Sequence, residues 1–175
     1  MINKEYTKKT VIAKIKKEFD KEGSIQLQDF MKIDISGIKF VRSYGPSLHS
    51  YSFSEFNDKE VIEAISNFLV GIINEKISFR SAKIFIFKRG DYTLMNDNMN
   101  ESNGIKVIFE LTHKWNNEAN GYTSFIKDNS EILRILPMKE SLTIIKTDNK
   151  MKSFVKYVNY KAGINRRCFI EFIYS

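Results

Sequence analysis

At residue 77 the apolar residues of this chain stop recurring at helical spacing and begin to alternate. Downstream lie the runs ISFRSAKIFIF, YTLM, IKVIFELT, GYTSFI, ILRIL, SLTIIK, FVKYV and RCFIEFIY. Turn-forming residues separate them: Gly90, Asn98 to Gly104, Asn116 to Gly121, Asp128-Asn129, Pro137 and Gly163. A period of two puts successive side chains on opposite faces of a strand, so each run buries one face only if a second layer covers it. Short strands punctuated in this way, with a helix before them, predict a two-sheet sandwich or jelly roll whose helices cover one face.

The upstream third supplies the helices. Residues 4–19 read as an amphipathic helix, with Val11, Ile12, Ile15 and Phe19 on one stripe and lysines on the other face, ended by Gly23. Ile25-Gln26-Leu27 alternates like a strand. The stretch IKFVRSYGPSLHSYSF reads as extended, with a turn at Gly45-Pro46. A second helix is expected over 58–72. Asn57 is its predicted cap, Glu60 completes a capping box, and Val61, Ile62, Ile65, Phe68, Leu69 and Ile72 form its apolar face. The expected organisation is one domain over 1–175: an N-terminal helix (1–22), a strand and helix cover (23–76) and a jelly-roll core (77–175).

Composition narrows the function classes. Of the 175 residues, 42% are hydrophobic and 28% charged, enough apolar surface for one core and too much for a disordered chain. Apolar runs such as Phe68-Leu69-Val70 fall far short of the ~20 residues of a membrane helix. The lysine-bearing N-terminus has no apolar segment of a secretory signal behind it. The single cysteine, Cys168, lies in the apolar run CFIEFIY and reads as a buried thiol, so a reducing, cytoplasmic setting is expected. The formal net charge is +7, with the densest lysines at Lys8, Lys9, Lys14, Lys16 and Lys17. Such a balance suits either an anionic partner such as nucleic acid or a merely solvated surface. No phosphate loop, nucleophile elbow, HExxH or dinucleotide fingerprint is present.

The order of the runs is itself informative. SAKIFIFKRGDYTLMNDN resembles a strand of prolyl-hydroxylase-like 2-oxoglutarate/Fe(II) oxygenases of the Tpa1/OGFOD type, where Gly-Asp-Tyr precedes His-x-Asp. IKVIFELTHKW followed by NGYTSFI resembles the next two strands. LPMKESLTIIK resembles the strand before the distal histidine, and FVKYVNYKAGINRRCFIEF the final pair, where an arginine opens the last strand. The resemblance runs in unbroken order from about Ser81 to Phe172. It implies a fold class of α+β, mainly β: a double-stranded β-helix (jelly roll) with flanking helices.

It also implies where the chemistry would sit. Two histidines and a carboxylate hold Fe(II) in the family, leaving positions open for the keto acid and oxygen. Their places fall on Asn96, Asn98 and Ser153 (or its neighbour Phe154), none of which supplies the expected donor. Tyr92 and Arg167, or its neighbour Arg166, match residues that bind a 2-oxoglutarate-like anion, a task suited to a guanidinium fork. A relocated metal site would have to draw on His49, His113, Asp97 and Glu110, the first two being the only histidines. The resulting expectation is a non-catalytic jelly-roll protein, a pseudoenzyme that binds a protein partner, with no metal, no cofactor and no membrane. Two alternatives stand beside it: an active 2-oxoglutarate-dependent protein or RNA hydroxylase with atypical iron ligands, taking Fe(II) and 2-oxoglutarate, and a basic nucleic-acid-binding protein.

Overall fold

The computed structural model describes residues 2–44, 50–94 and 102–175. A 3-10 turn (Lys4–Thr7) leads into α1 (Lys9–Glu22), followed by β1 (Ser24–Leu27), β2 (Val41–Tyr44), β3 (Ser50–Glu55) and α2 (Lys59–Ile72). The strands β4 (Phe79–Phe87), β5 (Gly104–Glu110), β6 (Thr123–Lys127), β7 (Ser130–Ile135), β8 (Leu142–Thr147), β9 (Lys152–Val155) and β10 (Arg167–Tyr174) complete the chain. They form two antiparallel sheets, a large one in the order β1-β8-β5-β10-β4-β3-β2 and a small one in the order β7-β6-β9. Mainly β, with two helices, this is the α+β jelly roll that the alternating runs imply.

Period two divides the large sheet into two faces. In β5, Ile105, Val107 and Phe109 point to the helix side and join a core with Ile15 and Phe19 of α1, Ile65, Leu69 and Ile72 of α2, and Ile170 and Phe172 of β10. Ile108 points the other way, into a second core between the sheets with Phe87, Phe125, Ile135, Ile145, Val155 and Phe169. Lys106 and Glu110 share that inner face by the same alternation.

The helices differ in detail from their sequence reading. The first begins at Lys9 rather than residue 4, because residues 4–7 close a separate 3-10 turn capped by Asn3, whose side chain accepts from the Glu5 N–H. Gly23 ends it as expected, in the left-handed region at φ 69°. The second helix is capped by Asp58, not Asn57: the Asp58 carboxylate accepts from the Val61 N–H at 3.1 Å, three residues on. The run YTLM forms no regular strand over its described residues 92–94. There Thr93 replaces one backbone rung with its hydroxyl: its N–H donates to the Val155 carbonyl, and its Oγ1 accepts from the Val155 N–H at 2.7 Å. The predicted strands around Ile25 and on either side of Gly45-Pro46 are present. They belong to the large sheet, β1 pairing with β8 and β3 with β4, while the turn itself lies outside the described residues.

Candidate functional site

The space between the sheets is where a jelly roll would carry a ligand. Its walls are aromatic. Phe87 and Phe169 stack with ring centres 5.8 Å apart and planes within 5°, Phe85 stacks on Phe169 at 5.3 Å, and Tyr51 stacks on Phe87 at 5.5 Å. What they leave is a cavity of about 40 Å³, lined also by Thr93, Thr123, Ser153, Val155 and Glu171. Beside it Lys106, nearly fully buried, reaches Glu171 at 3.1 Å and lies over the Phe125 ring.

The predicted site residues that the structure describes are dispersed: Ser153, Tyr92, Arg166 and Arg167 have different surroundings. Ser153, opposite Phe125 in the β6–β9 ladder, is buried and faces the cavity. Asn96 and Asn98 lie outside the described residues, as do His49 and Asp97. Tyr92 lines a surface groove with Leu94, Phe154, Lys156 and Tyr157, its ring 5.8 Å from that of Tyr157. Arg166 is exposed. Arg167 is fully buried at the first position of β10, with its guanidinium 4.4 Å over the Phe169 ring.

Arg167 is itself held by four hydrogen bonds. Glu110, the last residue of β5, sits across the ladder from Phe169, which brings its side chain alongside Arg167 on the same face. Arg167 Nε and Nη2 both donate to Glu110 Oε2, at 3.1 and 2.9 Å. Its Nη1 donates to the Gly121 carbonyl at 2.7 Å and to Thr123 Oγ1 at 2.8 Å. The other Glu110 oxygen accepts from Thr112 Oγ1 at 2.5 Å, and Thr112 Oγ1 accepts in turn from the Cys168 N–H at 2.9 Å. Burial pushes the Glu110 carboxyl up, against the pull of the Arg167 charge, the Arg167 hydrogen bonds and the Thr112 hydroxyl. Its oxygens accept three hydrogen bonds from Arg167 and Thr112, the pattern of an ionised carboxylate.

A second clamp, which sequence reading missed, is built on the aspartate of Gly-Asp-Tyr. Asp91 is buried and ion-paired with Arg42 of β2. Its carboxylate also accepts from Ser50 Oγ at 3.0 Å and from the Lys88 N–H at 2.9 Å. It therefore pins the turn after β4 to the β2–β3 hairpin. Among the described residues, no three His, Cys, Asp or Glu side chains converge as metal ligands. His113 is exposed while Glu110 is buried against Arg167, so these two of the four groups considered for a relocated site face different surroundings. The donor set that iron needs is thus not found among the described residues.

No protein-family model matches the chain. A stretch of 79 residues, 43% of the chain, is 29% identical to mouse prolyl 3-hydroxylase OGFOD1, of which it spans only 14%. Solved structures match over nearly the whole chain. A Trichoplax adhaerens prolyl hydroxylase, in complex with a hypoxia-inducible-factor oxygen degradation domain peptide, superposes with a TM-score of 0.69 at 13% identity, covering 95% of this chain and 89% of that one. A 2OG-Fe(II) oxygenase-family oxidoreductase from Burkholderia pseudomallei gives 0.70 at 11% identity, covering 94% and 90%. A Pseudomonas putida prolyl-4-hydroxylase gives 0.66 at 11%, covering 93% and 97%. Two packed antiparallel sheets, helices on the outer face of the larger one, and these neighbours together identify the fold as the double-stranded β-helix of the prolyl-hydroxylase-like 2-oxoglutarate/Fe(II) oxygenases.

Proposed function

We propose that this chain is a non-catalytic member of the 2-oxoglutarate/Fe(II) oxygenase-like jelly rolls, serving as a binding module for a protein partner. The observation that supports the reading is the small space left between the sheets among the described residues: about 40 Å³ where a small-molecule site encloses roughly 300 Å³ or more. The sequence adds asparagine, asparagine and serine at positions 96, 98 and 153, where the resemblance places the iron ligands. A neutral amide is a weak donor to Fe(II), and loss of the carboxylate removes the charge that balances the metal. In this reading a 2-oxoglutarate-like anion at Tyr92, Arg166 and Arg167 would have to displace the carboxylate that Arg167 already holds. A protein partner is favoured because the Trichoplax neighbour of this fold is seen with a peptide.

The test is anaerobic calorimetric titration of the purified chain with Fe(II) and 2-oxoglutarate, alone and together. No saturable heat is expected from either. Stoichiometric binding of both, followed by succinate formation in air, would sink the proposal.

A further inference from the structure

A guanidinium stays charged at any ordinary pH, so removing one from water requires an anion and a full set of acceptors close by. Arg167 has no exposed surface. Its acceptors divide into two kinds. Gly121 and Thr123 supply neutral oxygens to Nη1, while Glu110, its carboxylate partner among the described residues, takes Nε and Nη2. The carboxylate is held from behind as well. Thr112 donates to its free oxygen, and the Glu110 backbone is fixed by hydrogen bonds to Ser141 and Glu140. The surroundings of a bound carboxylate anion are therefore complete: guanidinium on one oxygen, hydroxyl on the other, and an aromatic ring under the cation.

We propose that Glu110 is a built-in carboxylate ligand for a carboxylate-binding site at Arg167, and that shortening its side chain opens that site to a free monocarboxylate of acetate size. The size follows from bookkeeping of atoms. Glu110→Ala removes Cγ, Cδ and two oxygens, the heavy atoms of acetate, while Cβ stays on the strand. The inference deepens the non-catalytic reading above, because a chain that carries its own anion has no vacancy for a diffusible one.

The experiment is thermal unfolding of wild type, E110A and the double variant E110A/R167M in sodium acetate. Sodium chloride of equal ionic strength and acetamide serve as controls. E110A should melt well below wild type. Acetate should raise its melting temperature saturably, by roughly 5–10 °C once its concentration exceeds Kd about 100-fold. Neither wild type nor E110A/R167M should respond beyond the chloride control. If E110A does not fold alone, refolding from urea in acetate replaces the melt, and recovery of the β-sheet circular dichroism is the expected result. A chain that acetate neither stabilises nor refolds, or one that chloride rescues equally, overturns the proposal. The two claims fail separately: acetate inert towards E110A removes this inference alone, whereas succinate formation by wild type supplied with Fe(II) and 2-oxoglutarate removes the non-catalytic reading and leaves acetate rescue of E110A standing.

Discussion

Cys168 follows Arg167 in β10 and therefore points to the opposite face, into the helix-side core with Ile170 and Phe172. Burial pushes its thiol up to about 12, with the nearby Glu110 charge adding to the rise and Arg167 opposing it. A thiol whose folded pKa lies above its unfolded value contributes stability that is complete below about pH 8.5 and lost as pH rises towards 12. The native chain should accordingly resist Ellman's reagent at pH 8 and react fully once unfolded in urea. Rapid native labelling would show that the thiol is not held in the core. Thr143 offers a cleaner energetic case. Its hydroxyl is buried between β5 and β1, with no hydrogen-bond partner among the described residues. Valine keeps the β-branched shape and removes the unmet polar atom, so Thr143→Val should raise stability by about 1 kcal/mol in urea denaturation. A loss of stability would reveal a partner for that hydroxyl.

Elements depend on a few positions where local and long-range demands coincide. Gly104 opens β5 at φ 155°, and a Cβ built there would lie 2.1 Å from the Tyr174 carbonyl oxygen of β10. Backbone cannot yield as a flexible side chain would, so Gly104→Ala should cost about 2–4 kcal/mol by equilibrium unfolding. A neutral result would mean that the strand ends separate freely. The cap of α2 is worth less: Asp58→Ala should lose about 1 kcal/mol, and Asn57→Ala should lose almost nothing, which distinguishes the observed cap from the neighbour that sequence pattern favoured. Period two made most strands legible because each run buries alternate residues between layers. The edge segment at Tyr92–Leu94 was not, since its rung is closed by a threonine side chain, which no periodicity encodes. The pairing of β1 with β8 was also hidden. It joins residues more than a hundred positions apart, and alternation says which face is buried but not which strand lies alongside.

At the scale of the whole molecule, the site was legible in part for the same reason. Arg167 could be picked out as the residue opening the last strand. Its partner, 57 positions earlier, was visible only as one carboxylate among several, and only folding shows that the two meet. Net charge poses the remaining question of partners. Of the five N-terminal lysines, Lys8 pairs with Glu5 and Lys16 is half-buried, which leaves Lys9, Lys14 and Lys17 exposed on α1. Elsewhere Lys21, Lys127, Lys146 and Lys161 each meet a carboxylate within 2.7 Å. Each phosphate neutralised releases counterions, so three lysines on one helix support a slope of log K against log salt of only about −3 for duplex DNA. Fluorescence anisotropy with short RNA and duplex DNA should therefore show, at most, weak association at low salt that is gone near physiological ionic strength. Gln in place of the three exposed lysines should abolish it. Binding that survives physiological salt, or a slope much steeper than −3, would move nucleic acid ahead of protein as the partner, because it would require a basic surface larger than α1 presents.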